Sequence, residues 1–109
     1  MNESPQERIA RNEALFRDVN EAIERGRWQG EEDSLTAFRC ECGRLGCTDL
    51  IELTPREYEQ IRTDPRRFAL ANGHQMPEVE EIVERHLRYL VVRKVGNAGE
   101  VAQRRNPRR

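Results

Sequence analysis

The segment Cys40-Glu41-Cys42-Gly43-Arg44-Leu45-Gly46-Cys47 places three cysteines and two glycines within eight residues. Zinc prefers thiolate and imidazole ligands in a tetrahedron, and structural zinc sites fill all four positions. A tight turn can direct several thiolates at one point when glycines allow the backbone a positive φ. The segment therefore predicts a zinc knuckle in which all three cysteines bind the metal.

The fourth ligand must come from another part of the chain, which contains only two histidines. His74 follows the turn dipeptide Asn72-Gly73 and precedes Met76-Pro77, so we expect it on a tight loop. We predict that His74 completes the site, while His86, Asp49, Glu41 or water could take its place. The predicted Zn²⁺ ligands are Cys40, Cys42, Cys47 and His74.

Other interpretations of the three cysteines are weaker. Isolated cysteines are often small buried hydrophobic residues, but three in a short polar segment with glycines are hard to explain by packing. Because the number of cysteines is odd, a disulfide framework would leave one thiol unpaired. A redox function remains an alternative. An iron–sulfur cluster would also suit three cysteines and a histidine, but a compact knuckle closes more easily around a single ion. Arg39 and Arg44 are expected to offset part of the thiolate charge.

Short strands are predicted on both sides of the knuckle, over residues 35–39 and 49–53. Thr54-Pro55-Arg56-Glu57 then has the cap, proline and glutamate that begin a helix, which Asp64-Pro65 ends. Residues 67–71 predict another strand. For residues 79–95 we favour a hairpin over a helix, because β-branched and aromatic residues cluster at 89–92.

The N-terminal region predicts an amphipathic helix over residues 5–26, capped by Ser4 with Glu7 three residues later. Its stripe is expected to pack on the rest of the domain, with a coiled-coil seam as the alternative. Trp28, in the polar linker that follows, is predicted to cover the edge of the core. The stripe consists of Ile9, Asn12, Phe16, Val19 and Ile23.

Composition limits the class of protein. The 109 residues are 36% hydrophobic and 36% charged, with a net charge of −1, so the core must be lean and the surface heavily solvated. We expect an α+β fold with a small, mostly antiparallel sheet in a single domain over residues 1–95. The arginine-rich residues 96–109 are predicted to be disordered.

No apolar segment has the length of a membrane span or a signal peptide, so a cytoplasmic location is expected.

Spaced residues along the chain resemble a pattern found in a group of small bacterial proteins, often from actinobacteria. The resemblance covers most of residues 9–95 and implies that the three cysteines and His74 belong to one pattern. It also implies that the arginine tail lies outside that pattern, and it implies no activity. The matching positions are Asn12-Glu13, Leu15-Phe16-Arg17, Val19-Asn20-Glu21, Cys40, Cys42, Cys47, Leu53-Thr54, Glu57-Tyr58, Gly73-His74 and Pro77.

The function expected from these features is that of a structural-zinc protein acting as a regulatory protein–protein interaction module through its N-terminal helix. One alternative is a nucleic-acid binder that contacts phosphates through Arg104, Arg105, Arg108 and Arg109. Another is a thiol redox or metal sensor. An enzyme is not expected, because the chain lacks a Ser–His pattern, a phosphate-binding glycine loop and a His-Glu-x-x-His run. The sequence leaves the oligomeric state open.

Overall fold

The computed structural model describes residues 4–108, apart from the side chain of Gln6. Within them lie three helices and five strands. Their order is α1 (Pro5–Arg25), β1 (Thr36–Arg39), β2 (Leu50–Leu53), α2 (Pro55–Ile61), β3 (Arg67–Leu70), β4 (Glu80–Arg85), β5 (Leu90–Lys94) and α3 (Gly96–Arg104). No helix among the described residues is both long enough and apolar enough to cross a membrane.

The strands form two small antiparallel sheets, which confirms the predicted α+β class. β1 pairs with β2, so that Phe38 lies opposite Ile51. The second sheet has the order β3-β5-β4, with Ala69 opposite Val91. The predicted hairpin over residues 79–95 is therefore confirmed, whereas the predicted single sheet is in fact two. The backbone N–H of Glu41 joins them by donating to the carbonyl of Ala69 at 2.9 Å.

Local capping signals place the helix starts where the sequence predicts them. The Ser4 side chain accepts a hydrogen bond from the backbone N–H of Glu7. Thr54 and Glu57 form a complete capping box, in which each side chain bonds the other residue's backbone N–H. These bonds satisfy donors that the first turn of a helix leaves without partners. Both starts are thus determined by neighbouring residues alone.

The apolar core lies between the two sheets and α2. Phe38 and Tyr58 stack in its centre, with ring centroids 4.8 Å apart. A second apolar cluster surrounds Phe68 and Val92 and includes the buried side chains of Cys40 and Cys42. The cysteine segment is therefore part of the packed interior rather than an appendage.

The buried face of α1 differs from the predicted one. Val19 is 45% exposed, and the other members of the predicted stripe are only half-buried. The fully buried positions are instead mostly charged or polar, and follow the helical spacing of a face rotated away from the apolar stripe. They are Glu13, Arg17, Asn20 and Glu24, with Glu21 and the apolar Ala14 beside them.

Most of these buried groups have partners in distant parts of the chain. The guanidinium of Arg17 donates to the carbonyls of Pro65 and Ala102 and lies over the Phe68 ring at 4.9 Å. Burial alone would raise the pKa of Glu21, but hydrogen bonds from Arg108 and the charge of Arg62 lower it overall. Burying α1 is therefore possible because each charge meets a complementary group.

A second buried charge cluster lies under the first turns of α1. The ammonium of Lys94, which is 1% exposed, forms ion pairs with both Glu13 and Glu80. Burial raises the pKa of Glu13 from 4.5 to about 7, although the nearby Lys94 charge opposes this rise. The cluster joins α1 to the edges of the β4–β5 hairpin.

The prediction that residues 96–109 are disordered is wrong for the described part of that segment. Residues 96–104 form α3, which buries Ala102. Beyond α3, Arg108 forms ion pairs with Glu21 and Glu59. Gly99 has a structural position in α3, because a Cβ there would lie 2.9 Å from the backbone carbonyl oxygen of Lys94. Only glycine allows α3 to pack this closely.

The prediction for Trp28 is also wrong, because its side chain is 78% exposed. The linker that carries it turns outward, with Glu31 N–H donating to the Trp28 carbonyl. The linker is attached to the start of α2 by a surface ion pair between Arg56 and Asp33 and by the bond from Arg56 N–H to the Glu32 carbonyl.

Replacing Glu13 with glutamine tests the buried lysine cluster. Because the folded pKa of Glu13 lies above its unfolded value, the native state binds more protons between these values, so stability falls as pH rises from about 4.5 to about 7 and levels off above that pH. From about pH 6 to pH 8 the wild type should lose on the order of 1 kcal/mol of unfolding free energy relative to Glu13→Gln. Urea unfolding of both proteins across this range measures the difference, and parallel curves would contradict the assignment.

Candidate metal centre

The four residues predicted as ligands come together at one point. The sulfurs of Cys40, Cys42 and Cys47 and a ring nitrogen of His74 all lie within 4.8 Å of one another. Nδ1 of His74 is 3.4 Å from the sulfur of Cys40 and 3.7 Å from that of Cys47. Three donors come from one turn, and the fourth comes from the loop between β3 and β4.

These separations fit a tetrahedral ion. Bonds of about 2.3 Å to sulfur and about 2.0 Å to nitrogen place a sulfur and a nitrogen roughly 3.5 Å apart at tetrahedral angles. The observed distances of 3.4 and 3.7 Å lie on either side of this value. A Cys₃His donor set therefore has both the chemistry and the spacing to hold a metal ion.

The backbone of the knuckle has the conformation that its glycines predict. Gly43 and Gly46 have φ values of 72° and 82°. Gly43 also lies directly against α1, since a Cβ there would be 2.5 Å from Cγ of Glu13. The Asn12 side chain donates to the Gly43 carbonyl at 3.2 Å. Asn12, a member of the predicted stripe, thus holds the knuckle.

Backbone N–H groups act to lower the pKa of each of the three thiols. The N–H of Ala71 donates a hydrogen bond to the sulfur of Cys40 at 3.1 Å. The N–H groups of Arg44 and Asp49 act in the same direction on Cys42 and Cys47 respectively. Such bonds favour the thiolate over the thiol, because they stabilise the negative form. The turn therefore prepares the sulfurs for the charge state that metal binding requires.

The three thiols differ in acidity. The pKa of Cys42 is lowered to about 4, chiefly because its sulfur accepts a hydrogen bond from the thiol of Cys40, with His74 also contributing. The same bond, together with burial, raises the pKa of Cys40. Burial also raises the pKa of Cys47. One thiolate is thus favoured at neutral pH, and binding an ion through all three sulfurs would release protons from the other two.

The side of the His74 ring away from the sulfurs has its own partner. Nε2 lies 3.3 Å from a carboxylate oxygen of Asp49, which directly precedes β2. A carboxylate in this position fixes the tautomer and orientation of a metal-binding imidazole and makes it a stronger donor. Asp49, which the sequence offered as a possible fourth ligand, therefore lies next to the histidine and not among the four converging donors.

His86 and Glu41, which the sequence also offered as fourth ligands, lie away from the cluster. The ring of His86 stacks on Tyr89 and bonds the carboxylate of Glu84. Glu41 points to the opposite side of the chain from its neighbours Cys40 and Cys42, as alternation along an extended segment requires. Its carboxylate accepts hydrogen bonds at 2.7–2.8 Å from Asn20, Tyr58 and the backbone N–H of Ala69.

The two arginines beside the cysteines also differ from expectation. Arg39 donates to the carbonyl of Cys47 at 3.0 Å, and its guanidinium lies over the Phe16 ring at 4.1 Å. Arg44 donates to the carbonyl of Gln75 at 3.3 Å. The guanidinium groups therefore bind the backbone around the site. In particular, Arg44 joins the cysteine turn to the histidine loop.

Sequence reasoning missed the contacts that support the four converging residues. Nothing in the sequence identifies the Ala71 N–H as a donor to sulfur, because that contact depends on how two loops pack. The contact of Asn12 with Gly43 could not be predicted either, since 31 residues separate the two.

Comparison of the chain with protein-family profiles, with curated proteins and with solved structures gave no match.

Replacing Asp49 with asparagine tests its role beside His74. The amide removes the negative charge that orients the imidazole, so metal affinity should fall by about 10- to 100-fold while the donor set stays complete. Competition titration against a chromophoric chelator measures this loss. Glu52→Gln, on the exposed face of β2, is the matched control and should bind metal like the wild type. Equal affinity of Asp49→Asn and the wild type would contradict the role of Asp49.

Proposed function

We propose that this chain is a structural-zinc protein of the bacterial cytoplasm that acts as a regulatory protein–protein interaction module and not as an enzyme. The convergence of Cys40, Cys42, Cys47 and His74 within 4.8 Å is the observation that carries the zinc assignment. Among common metals, zinc is the one that most often takes a tetrahedral set of three thiolates and an imidazole. Four protein donors leave no open coordination position, which supports a structural role.

The energetic effect of the ion is expected to be large. Zinc binding by small structural sites is worth on the order of 10 kcal/mol at neutral pH, comparable with the stability of a whole domain. Here the ion would join the β1–β2 turn to the loop after β3, and so connect the two sheets. A chain with few apolar residues and many buried charges gains more from such a connection than one with a large apolar core.

Metal removal tests the zinc assignment. Native mass spectrometry of the purified protein should show one zinc per chain, and Cys42→Ser or a strong chelator should lower the melting temperature by more than about 15 °C. Leu45→Ser, at a side chain that is 86% exposed in the same turn, is the matched control and should keep both zinc and melting temperature. A folded wild-type protein without bound metal, or one whose melting is unchanged after complete metal removal, would refute the assignment.

The interaction surface is proposed on the outer face of α1. Leu15 and Val19 are one helical turn apart and are 52% and 45% exposed. Ala22, on the same face, is also exposed. Apolar side chains aligned at helical spacing in water are typical of a surface that a partner covers. Of these three residues only Val19 belongs to the apolar stripe of the sequence, and all three lie away from the buried polar face.

Acidic substitutions on α1 test the interaction. The double variant Leu15→Asp/Val19→Asp should keep its zinc and melting temperature, because both side chains are partly exposed, but should lose partner binding. A photo-crosslinking residue at Ala22 measures binding in cells. Leu50→Asp/Leu87→Asp makes the same chemical change at exposed sites outside α1 and should retain the crosslink. Crosslinks that persist in the α1 variant would contradict the proposed surface.

The nucleic-acid and redox-sensor functions differ in their support. Arg108 forms ion pairs with Glu21 and Glu59, which weakens a nucleic-acid role for the basic segment, and Arg109 lies outside the described residues.

A redox sensor is favoured by one observation: Cys47 is partly exposed, whereas Cys40 and Cys42 are buried. Peroxide could oxidise the Cys47 thiolate to a sulfenic acid with release of hydroxide. Native mass spectra of the protein recorded after peroxide treatment would then show loss of zinc.

A further inference from the structure

A groove of about 520 Å³ lies on the side of the molecule where three segments meet. Its walls are the first turns of α1, the segment that leads into β4, and the start of α3. Most of its lining is apolar, and its size is within the range of small-molecule sites in proteins. The apolar lining comes from Ile9, Ala10, Met76, Val79, Ala98 and Val101.

The charged residues of the groove all have the same sign. Glu7, Glu13 and Glu78 line it, and no lysine or arginine does so among the described residues. Glu7 and Glu78 are exposed at its rim, whereas Glu13 lies in its buried part. Lys94 pairs with Glu13 and Glu80 and is not part of the lining. The groove therefore favours a cationic group over an anionic one.

Hydrogen bonds hold the walls in place. The N–H of Met76 donates to the carboxylate of Glu80 at 2.8 Å, and the N–H of Val95 donates to the carbonyl of Val79 at 2.9 Å. Arg17 of α1 bonds the carbonyl of Ala102 in α3. A groove with fixed walls loses little freedom when a ligand enters, so more of the contact energy appears as affinity.

We propose that this groove is a binding site for a small amphiphilic amine, a ligand with an apolar body and a protonated amino group. The apolar body lies along Ile9, Val79 and Val101, and the ammonium group faces the carboxylates of Glu7 and Glu78. The site is separate from the cysteine cluster and from the outer face of α1. It does not depend on the identity of the metal or on the proposed partner surface.

Three probes with the same alkyl chain test this proposal on the full-length, metal-loaded protein: octylamine, octanol and octanoate. Octylamine should bind in the millimolar range, about tenfold more tightly than octanoate, with octanol between them. Amide shifts in ¹H–¹⁵N NMR spectra, recorded below the micelle-forming concentration, should map to Ala10, Val79 and Val101. Equal affinity for the three probes, or shifts that map elsewhere, would overturn the proposal.

Charge reversal at the rim provides the sharper test, because it leaves the apolar walls intact. Glu7→Lys/Glu78→Lys should invert the preference, so that octanoate binds more tightly than octylamine. Glu31→Lys/Glu100→Lys makes the same change in net charge at exposed positions outside the groove and should keep the wild-type order. Ala98→Phe, which fills the groove, should abolish binding of all three probes at an unchanged melting temperature. If the rim variant keeps the wild-type preference, the proposal fails.

Discussion

The buried carboxylate of Glu41 is the contact on which the rest of the structure depends. It accepts hydrogen bonds from Asn20 of α1, Tyr58 of α2 and the backbone of Ala69 in β3. Burial raises the pKa of Glu41, while these hydrogen bonds oppose the rise, because a carboxylate away from water is costly unless its oxygens are occupied. Glu41 lies between Cys40 and Cys42 in the sequence. The segment that positions these two sulfurs therefore also connects α1, α2 and β3 through the Glu41 carboxylate.

Asn20 extends this centre to the edge of β1. Its amide oxygen accepts from the N–H of Arg39, while its amide nitrogen donates to the Arg39 carbonyl and to Glu41. The side-chain amide of Asn20 therefore pairs with the backbone of β1 as a neighbouring strand would. The backbone N–H and carbonyl of Arg39 are thus not left unpaired at the strand edge. The helix is held to the sheet by directional bonds in addition to apolar contact. We infer that these bonds fix the angle and register of α1 more strongly than they raise its stability, because desolvation of the charges offsets much of the pairing energy.

Features controlled by neighbouring residues could be predicted from the sequence. The capping residues mark the starts of α1 and α2, the residues around 79–95 indicate a hairpin, and the cysteine spacing with His74 indicates the candidate site. The buried face of α1 could not be predicted, because hydrophobic periodicity records only apolar residues. Arg17 is buried because Ala102, 85 residues away, supplies a carbonyl. Likewise α3 forms despite two glycines because β5 and Arg66 provide a surface against which it packs.

Two faces of α1 therefore have different surroundings. The charged face is specified by partners in the same chain, and losing one partner leaves an uncompensated buried charge that typically costs several kcal/mol. The apolar face, at Leu15 and Val19, meets no comparable constraint within the described residues and remains available to other molecules. An amphipathic helix that buries its charges and exposes part of its apolar stripe reverses the usual arrangement. That reversal is stable only because Glu13, Arg17 and Glu21 each have an oppositely charged or hydrogen-bonding partner fixed by the two sheets and the C-terminal segment.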